Sequence, residues 1–272
     1  MGAMFDKMEV LKRWLIGCFL VCCLPAWAGG EASSVWLEDL TWVELKARMD
    51  AGAKAVILPT GGVEQNGPYI ALGKHNWVVA QAVQELALAL GNTLVAPVVR
   101  VVPQGDMAKP SGNLLFPGTL ALREDTFGRV LSDTVLSLAY AGFQDIYLLG
   151  DHGLSQPVQA RVAVRMREVL TAANVRVWHV SAFYQPELEA ALLDNFGIRK
   201  EQQGDHAGVA DMAQIMAVNP AAVRPVGQTS LRDGQKSDMG FTGAPEKATA
   251  AMGGELLRLR LDAALRQIRS TR

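Results

Sequence analysis

Beyond its first 28 residues the chain has no cysteine, because Cys18, Cys22 and Cys23 all fall inside the N-terminal segment. The remainder therefore has no thiol nucleophile and no disulfide, a composition that suits a bacterial periplasm, where spare thiols would be oxidised. An excess of one charge sign is also missing. With 26 Lys and Arg against 27 Asp and Glu, the formal net charge is −1, so there is no basic footprint and nucleic acid is not an expected partner. No G-x-S-x-G elbow is present, and Ser155 follows His152 without an evident triad. Gly61-Gly62 lacks the rest of any G-x-G-x-x-G or Walker pattern. Internal repeats and low-complexity stretches are absent. Histidine is scarce, with four in all: His75, His152, His179 and His206.

What is present begins with a targeting signature. Lys7, Lys12 and Arg13 form a basic region, residues 14–24 are apolar, and Ala26-Trp27-Ala28 fits an A-x-A cleavage site. This reads as a secretory signal peptide, residues 1–28, cleaved after Ala28. The apolar run is short for a membrane span, so no stable span is expected after cleavage and the protein is expected in the periplasm or secreted. Residues 29–272, about 240 in number, fit a single α/β domain. Half of all residues are apolar, enough for a sizeable core.

Strand-like runs alternate with helical patterns. Helices are expected at residues 41–52, 76–90, 123–141, 156–173, 186–195, 209–218 and 245–269. Strands are expected at 55–58, 146–149 and 175–180, with a β-rich stretch at 93–102 interrupted by Pro97. Residues 103–118 and 197–208 read as polar loops, and a loop as long as the first is often functional. The alternation implies a mostly parallel central sheet with helices on both faces, a three-layer α/β/α arrangement. Such sheets place their sites at the carboxyl ends of the strands.

Two clusters fall at such ends. Glu64-Gln65-Asn66-Gly67-Pro68, with His75 eleven residues after Glu64, follows the strand at 55–58. Asp151-His152 follows the strand at 146–149. His206 sits in a Gly-containing loop, with Asp211 on the first turn of the next helix. Glu64, His75, His152 and Asp211 together offer two carboxylates and two imidazoles. That set suits one divalent transition metal, zinc first with manganese or iron also fitting, and leaves a position open for water. His206 is expected to move protons, and Asp211 or His206 to take the water's proton. Asn66, Tyr69, Asp106 and Asp151 are weaker candidates for substrate contacts, with Asp151 alternatively placed to orient a ring or to cap the following helix. His179, inside a β-type run, reads as structural.

Five ordered segments resemble the creatininase (creatinine amidohydrolase) family. Residues 58–68, LPTGGVEQNGP, are similar to its L-P-x-G-x-x-E-Q-H-G-P opening, and residues 116–120, FPGTL, to its F-P-G-T-L/I signature. Residues 149–153, LGDHG, resemble N-G-H-G, and residues 206–211, HAGVAD, resemble H-A-G-x-x-E. Gly240-Phe241-Thr242-Gly243 with Ala248-Thr249-Ala250 is similar to the closing G-x-x-G…A-T-A. The resemblance implies a layered α/β fold, a homo-oligomer that is often a hexamer, and metal-dependent hydrolysis of cyclic amides or formamides through a metal-activated water. It implies Glu64, His152 and Asp211 as ligands and His206 in proton transfer, with a small polar amide as substrate. Two positions depart from the family. Asn66 stands where it has a ligand histidine, and His75 where it has a bridging aspartate. A neutral imidazole offers one lone pair and bridges two metals poorly, so one ion per chain is expected rather than two. The alternative from another class is a non-catalytic periplasmic descendant that binds a small ligand or a metal.

Overall fold

The computed structural model describes residues 34–225 and 239–271. The expected signal peptide, residues 1–28, lies outside the described residues, as does most of the Gly- and Asp-rich loop before the last helix. Four strands, β1 (Ala55–Thr60), β2 (Thr93–Val95), β3 (Asp145–Gly150) and β4 (Arg176–His179), form one sheet in the order β2-β1-β3-β4. All three pairings are parallel, with Ala55 opposite both Thr93 and Asp145, and Asp145 opposite Arg176.

Strand alternation sorts the core into two layers. Val56, Leu58, Ile146 and Leu148 point to one face. There they meet Phe127, Leu131 and Val135 of α3 (Glu124–Ala141) and Val158, Val162 and Met166 of α4 (Gln156–Val169). Met49 of α1 (Trp42–Asp50), a helix opened by a Thr41/Glu44 capping box, joins the same face. Ala55, Ile57, Tyr147 and Leu149 point the other way, onto Val79, Val83 and Leu86 of α2 (Lys74–Leu90) and Ala264 and Ile268 of α8 (Ala250–Ser270). The architecture is α/β, with a parallel sheet covered by helices on both faces. Each of these fully buried Val, Leu and Ile side chains contributes about 1.5–3 kcal/mol of transfer free energy. Helices α5 (Pro186–Asn195) and α7 (Val209–Val218) share a further apolar cluster with α8 through Leu193, Val209, Ala213 and Leu256, and the short α6 (Lys200–Gln203) adjoins α5 and α7. Among the described residues no helix is long and apolar enough to cross a membrane.

Several boundaries differ from those expected. The stretch at 93–102 pairs as a strand only over Thr93–Val95. Pro97 has no N–H for a ladder, and beyond it the chain makes only isolated bridges at Val99 and Val102. The helix expected to begin at residue 76 begins at Lys74, so Lys74 and His75 lie on its first turn rather than in a loop. The α4 helix stops at Val169, with a short turn at Thr171–Ala173. The loop at 197–208 contains the one-turn helix α6.

Candidate metal centre

The exit of β1 sets the site's first ligand. Gly61 follows the strand where any side chain would run into Asn76, whose Oδ1 accepts from the Gly62 N–H at 3.1 Å. This close approach brings the start of α2 against the loop that carries Glu64. Glu64 is 2 % exposed. Its Oε1 lies 2.7 Å from His75 Nε2, and its Oε2 lies 3.0 Å from His152 Nε2. Oε2 also accepts from Asn113 Nδ2 at 2.7 Å. The two imidazole rings meet edge to face with centroids 5.0 Å apart. One ligand atom from each of Glu64, His75 and His152 lies within 4.8 Å of the others, and all three residues are buried.

A second layer holds this group in place. His75 Nδ1 is 2.7 Å from Asp151 Oδ2, and Arg260 of α8 donates through Nη2 to Asp151 Oδ1. Arg260 also donates through Nε to the Phe183 carbonyl at 2.9 Å and lies over the Phe183 ring. Carboxylate to histidine to candidate ion is the usual way a ligand imidazole is oriented.

The electrostatics follow from these contacts. Burial works against the charge on Glu64, but the charges and hydrogen bonds of His75 and His152 outweigh it and hold its pKa well below the ordinary carboxylate range. Burial and the Lys74 charge both oppose a proton on His75. The Glu64 charge and the hydrogen bonds to Asp151 and Glu64 prevail, and its pKa rises to about 9. Both ring nitrogens face oxygens that only accept, which is why the ion-free ring keeps two protons. His152 goes the other way, because burial lowers its pKa despite the Glu64 hydrogen bond. It is a neutral imidazole, the form that ligates. Burial penalises Asp151, yet Arg260 and His75 bring its pKa down to about 2.

The donor set fits one ion. Two imidazoles and one carboxylate form a set used by zinc hydrolases, with room left for further ligands. An ion would take the proton's place at His75 Nε2 while Nδ1–H still met Asp151.

The structure distributes the other expected residues differently. Asp211, expected as a fourth ligand, shares the cavity of about 230 Å³ with Glu64, His75 and His152. Its Oδ1, however, sits 2.5 Å from Lys74 Nζ, and it is outside the three-residue group. His206 borders the same cavity, with Nδ1 3.9 Å from Glu64 Oε1 and Nε2 3.0 Å from the Gln65 carbonyl. Asn66 is 1 % exposed and donates to the Glu64 carbonyl at 3.0 Å, so it braces the loop instead of lining the cavity. Tyr69 packs on Phe241 in an apolar cluster with Ile70 and Met212. Asp106 lines a separate cavity with Met107 and Arg123, and its carboxylate caps the Ala108 N–H. Both Asp151 oxygens are taken by His75 and Arg260, an arrangement that orients the His75 ring. His179 Nε2 pairs with Gln156 Oε1 at 2.9 Å, outside the three-residue group.

Four contributors were not singled out in the sequence: Lys74, Asn113, Tyr184 and Arg260. Two carried a signal. Arg260 falls on the apolar stripe of α8 with Leu256, Leu257, Ala263 and Ala264, and Lys74 adjoins His75. A lone cation on an apolar stripe demands a buried partner. Asn113 and Tyr184 had no local mark.

The family profile described as "Creatininase: Creatinine amidohydrolase" matches residues 38–268. Creatinine amidohydrolase of Pseudomonas putida is 29% identical over 121 residues, 44% of this chain and 46% of that protein. The 3-dehydro-scyllo-inosose hydrolase of Thermotoga maritima is 23% identical over 121 residues, 44% of this chain and 37% of that protein. The matches thus span less than half the length of these curated relatives. Among solved structures, a mutant creatininase of Zn-Zn type superposes with a TM-score of 0.71 at 21% identity, covering 88% of this chain and 99% of that one, a likeness of fold. With the profile spanning most of its length, the chain belongs to the creatininase family.

Proposed function

We propose that this protein is a metal-dependent amidohydrolase that cleaves a cyclic amide or formamide C–N bond, with one divalent ion, zinc in the first place, held by Glu64, His75 and His152. The observation that carries it is the convergence of these three donors on one cavity in a chain of the creatininase family. An ion there would lower the pKa of water towards about 7 and polarise a scissile carbonyl.

The chain's own residues supply the rest. Asn113 fixes the Glu64 carboxylate through Oε2, and Asp151 with Arg260 fixes the His75 ring. His206, at the cavity wall, accepts a proton and returns it to the leaving nitrogen. Asp211 is a poor base. Burial raises its pKa, but Lys74 and His75 outweigh burial and keep it ionised and occupied. Its part is to hold Lys74. A cavity of about 230 Å³ suits a small polar substrate. We further place the protein in the periplasm, on the strength of the N-terminal signature, as a homo-oligomer like those the family forms.

The test is a panel of cyclic amides, lactams and formamides assayed with zinc, manganese and iron. Turnover is expected with at least one metal and lost in His152→Ala. Turnover that survives His152→Ala would refute the mechanism. Ion binding with no turnover across the panel would favour the non-catalytic binding protein instead.

A further inference from the structure

The Tyr184 hydroxyl has no task in the reading above and, among the described residues, no hydrogen-bond partner. The side chain is half-buried and lines the cavity that holds Glu64, His75 and His152. It also lines a second cavity, of about 650 Å³, so the two share it as a wall. Its hydroxyl end is set against the loop that carries His152, since a Cβ added at Gly153 would fall 2.9 Å from Tyr184 Oη. A glycine directly after His152 is what lets the phenol come so close. The base of the side chain is held too. The Tyr184 N–H donates to the Ser181 carbonyl at 3.2 Å, closing the short turn Ser181–Phe183, and Pro186 opens α5 two residues later. Phe183 is fully buried under Arg260, whose Nε donates to its carbonyl. The same guanidinium holds Asp151 and, through it, His75. One residue thus fixes both a candidate ligand and the backbone beside Tyr184.

Resting on the amidohydrolase reading, we propose that Tyr184 is a further catalytic residue, whose hydroxyl donates a hydrogen bond to the scissile carbonyl oxygen as that oxygen gains charge. Other side-chain donors at this cavity are engaged: Lys74 with Asp211, Asn113 with Glu64, and His206 Nε2 with the Gln65 carbonyl. Burial, with the charges of Asp151 and Asp211, pushes the Tyr184 pKa well above its ordinary value of 10. The phenol therefore keeps its proton through the neutral range and serves as a donor. That proton is not transferred. Water attacks the carbonyl carbon, the carbonyl π pair moves onto oxygen, and the Tyr184 O–H bonds to the charge that forms. Collapse returns the pair and breaks the C–N bond, and His206 protonates the leaving nitrogen. A donor with no partner in the free protein gives up nothing to meet the substrate. Held in place and partly shielded from water, it favours the charged transition state over the neutral ground state.

The experiment is calorimetric titration of the zinc-loaded full chain with acetohydroxamic acid, an amide-like probe whose oxygens bind zinc. Zinc content and urea unfolding are measured on each form alongside. The wild-type chain is expected to bind the probe, and Tyr184→Phe to bind it about 10-fold more weakly. Zinc content and unfolding midpoint are expected to be the same in both, because the lost hydroxyl pairs with nothing in the free protein. On a substrate from the amide panel, Tyr184→Phe is expected to lose about 10²-fold in kcat with KM little changed. Undiminished probe affinity in Tyr184→Phe, a fall in its unfolding midpoint, or an effect on KM alone would each overturn the proposal. So would zinc-loaded wild-type protein that does not bind the probe. Wild-type protein that takes up no zinc would instead overturn the metal-site reading beneath it.

Discussion

Lys74 and His75 are neighbours on one helical turn, yet the two sides of the cavity they serve differ in kind. On the His75 side, Glu64 meets two imidazoles, groups that can exchange a proton for a metal ion. On the Lys74 side, Asp211 meets an ammonium, which has no lone pair to offer while it is charged. Both carboxylates are satisfied, but only the first pairing can be opened by an ion without stranding a buried charge. A carboxylate's availability as a ligand is therefore decided by the chemistry of its partner more than by its position in the cleft.

The comparison can be broken most forcefully at the outer layer. Arg260→Met leaves Asp151 ionised and buried without its guanidinium, and removing one partner of such a pair costs about 3–5 kcal/mol. A drop of that size in urea-unfolding free energy is expected, and a change near zero would mean that Asp151 is not held as described. Asp151→Asn is milder. It keeps the shape but weakens the orientation of His75, and zinc affinity is expected to fall about 10–100-fold by calorimetry. An unchanged affinity would place His75 outside the ligand set.

The pH dependence sharpens the same contrast. The folded, ion-free pKa of His75 is raised above its ordinary 6.5 to about 9. A raised pKa means the folded state binds its proton more tightly than the unfolded state does. Its stabilisation is fully present below about pH 6.5 and is lost as pH rises through about 9. The thermal midpoint of chelator-treated protein is therefore expected to fall across that window. In zinc-loaded protein this decline is expected to vanish, because an ion has replaced the Nε2 proton. The smallest effect is expected at the exposed Lys46–Asp50 pair, where Lys46→Ala should leave the unfolding midpoint unchanged within experimental error.

Much of this molecule can be read along the chain. The buried runs at β1 and β3 carry the apolar, bulky side chains that a doubly covered sheet needs, and the loops leaving them supply Glu64 and His152. His75 is also in the set, although its helix starts at Lys74, two residues before the start expected at residue 76. What stays hidden is pairing across long separations. Asp211 reads as a free carboxylate until the fold sets Lys74, 137 residues earlier, against it. Asp151 reads as a candidate substrate contact, whereas Arg260, 109 residues later, takes one of its oxygens. Tyr69 sits beside the motif and Asn66 inside it, but they turn into the core and into the loop backbone respectively, because a short segment does not specify which way a side chain faces once packed.

The most direct test is an anomalous-difference map from zinc-loaded crystals of the wild-type chain. The account expects one strong peak per chain, about 2.0–2.2 Å from a Glu64 oxygen, His75 Nε2 and His152 Nε2, with Lys74 still on Asp211. A peak bound through Asp211 in place of His75, or no peak beside Glu64, would contradict it.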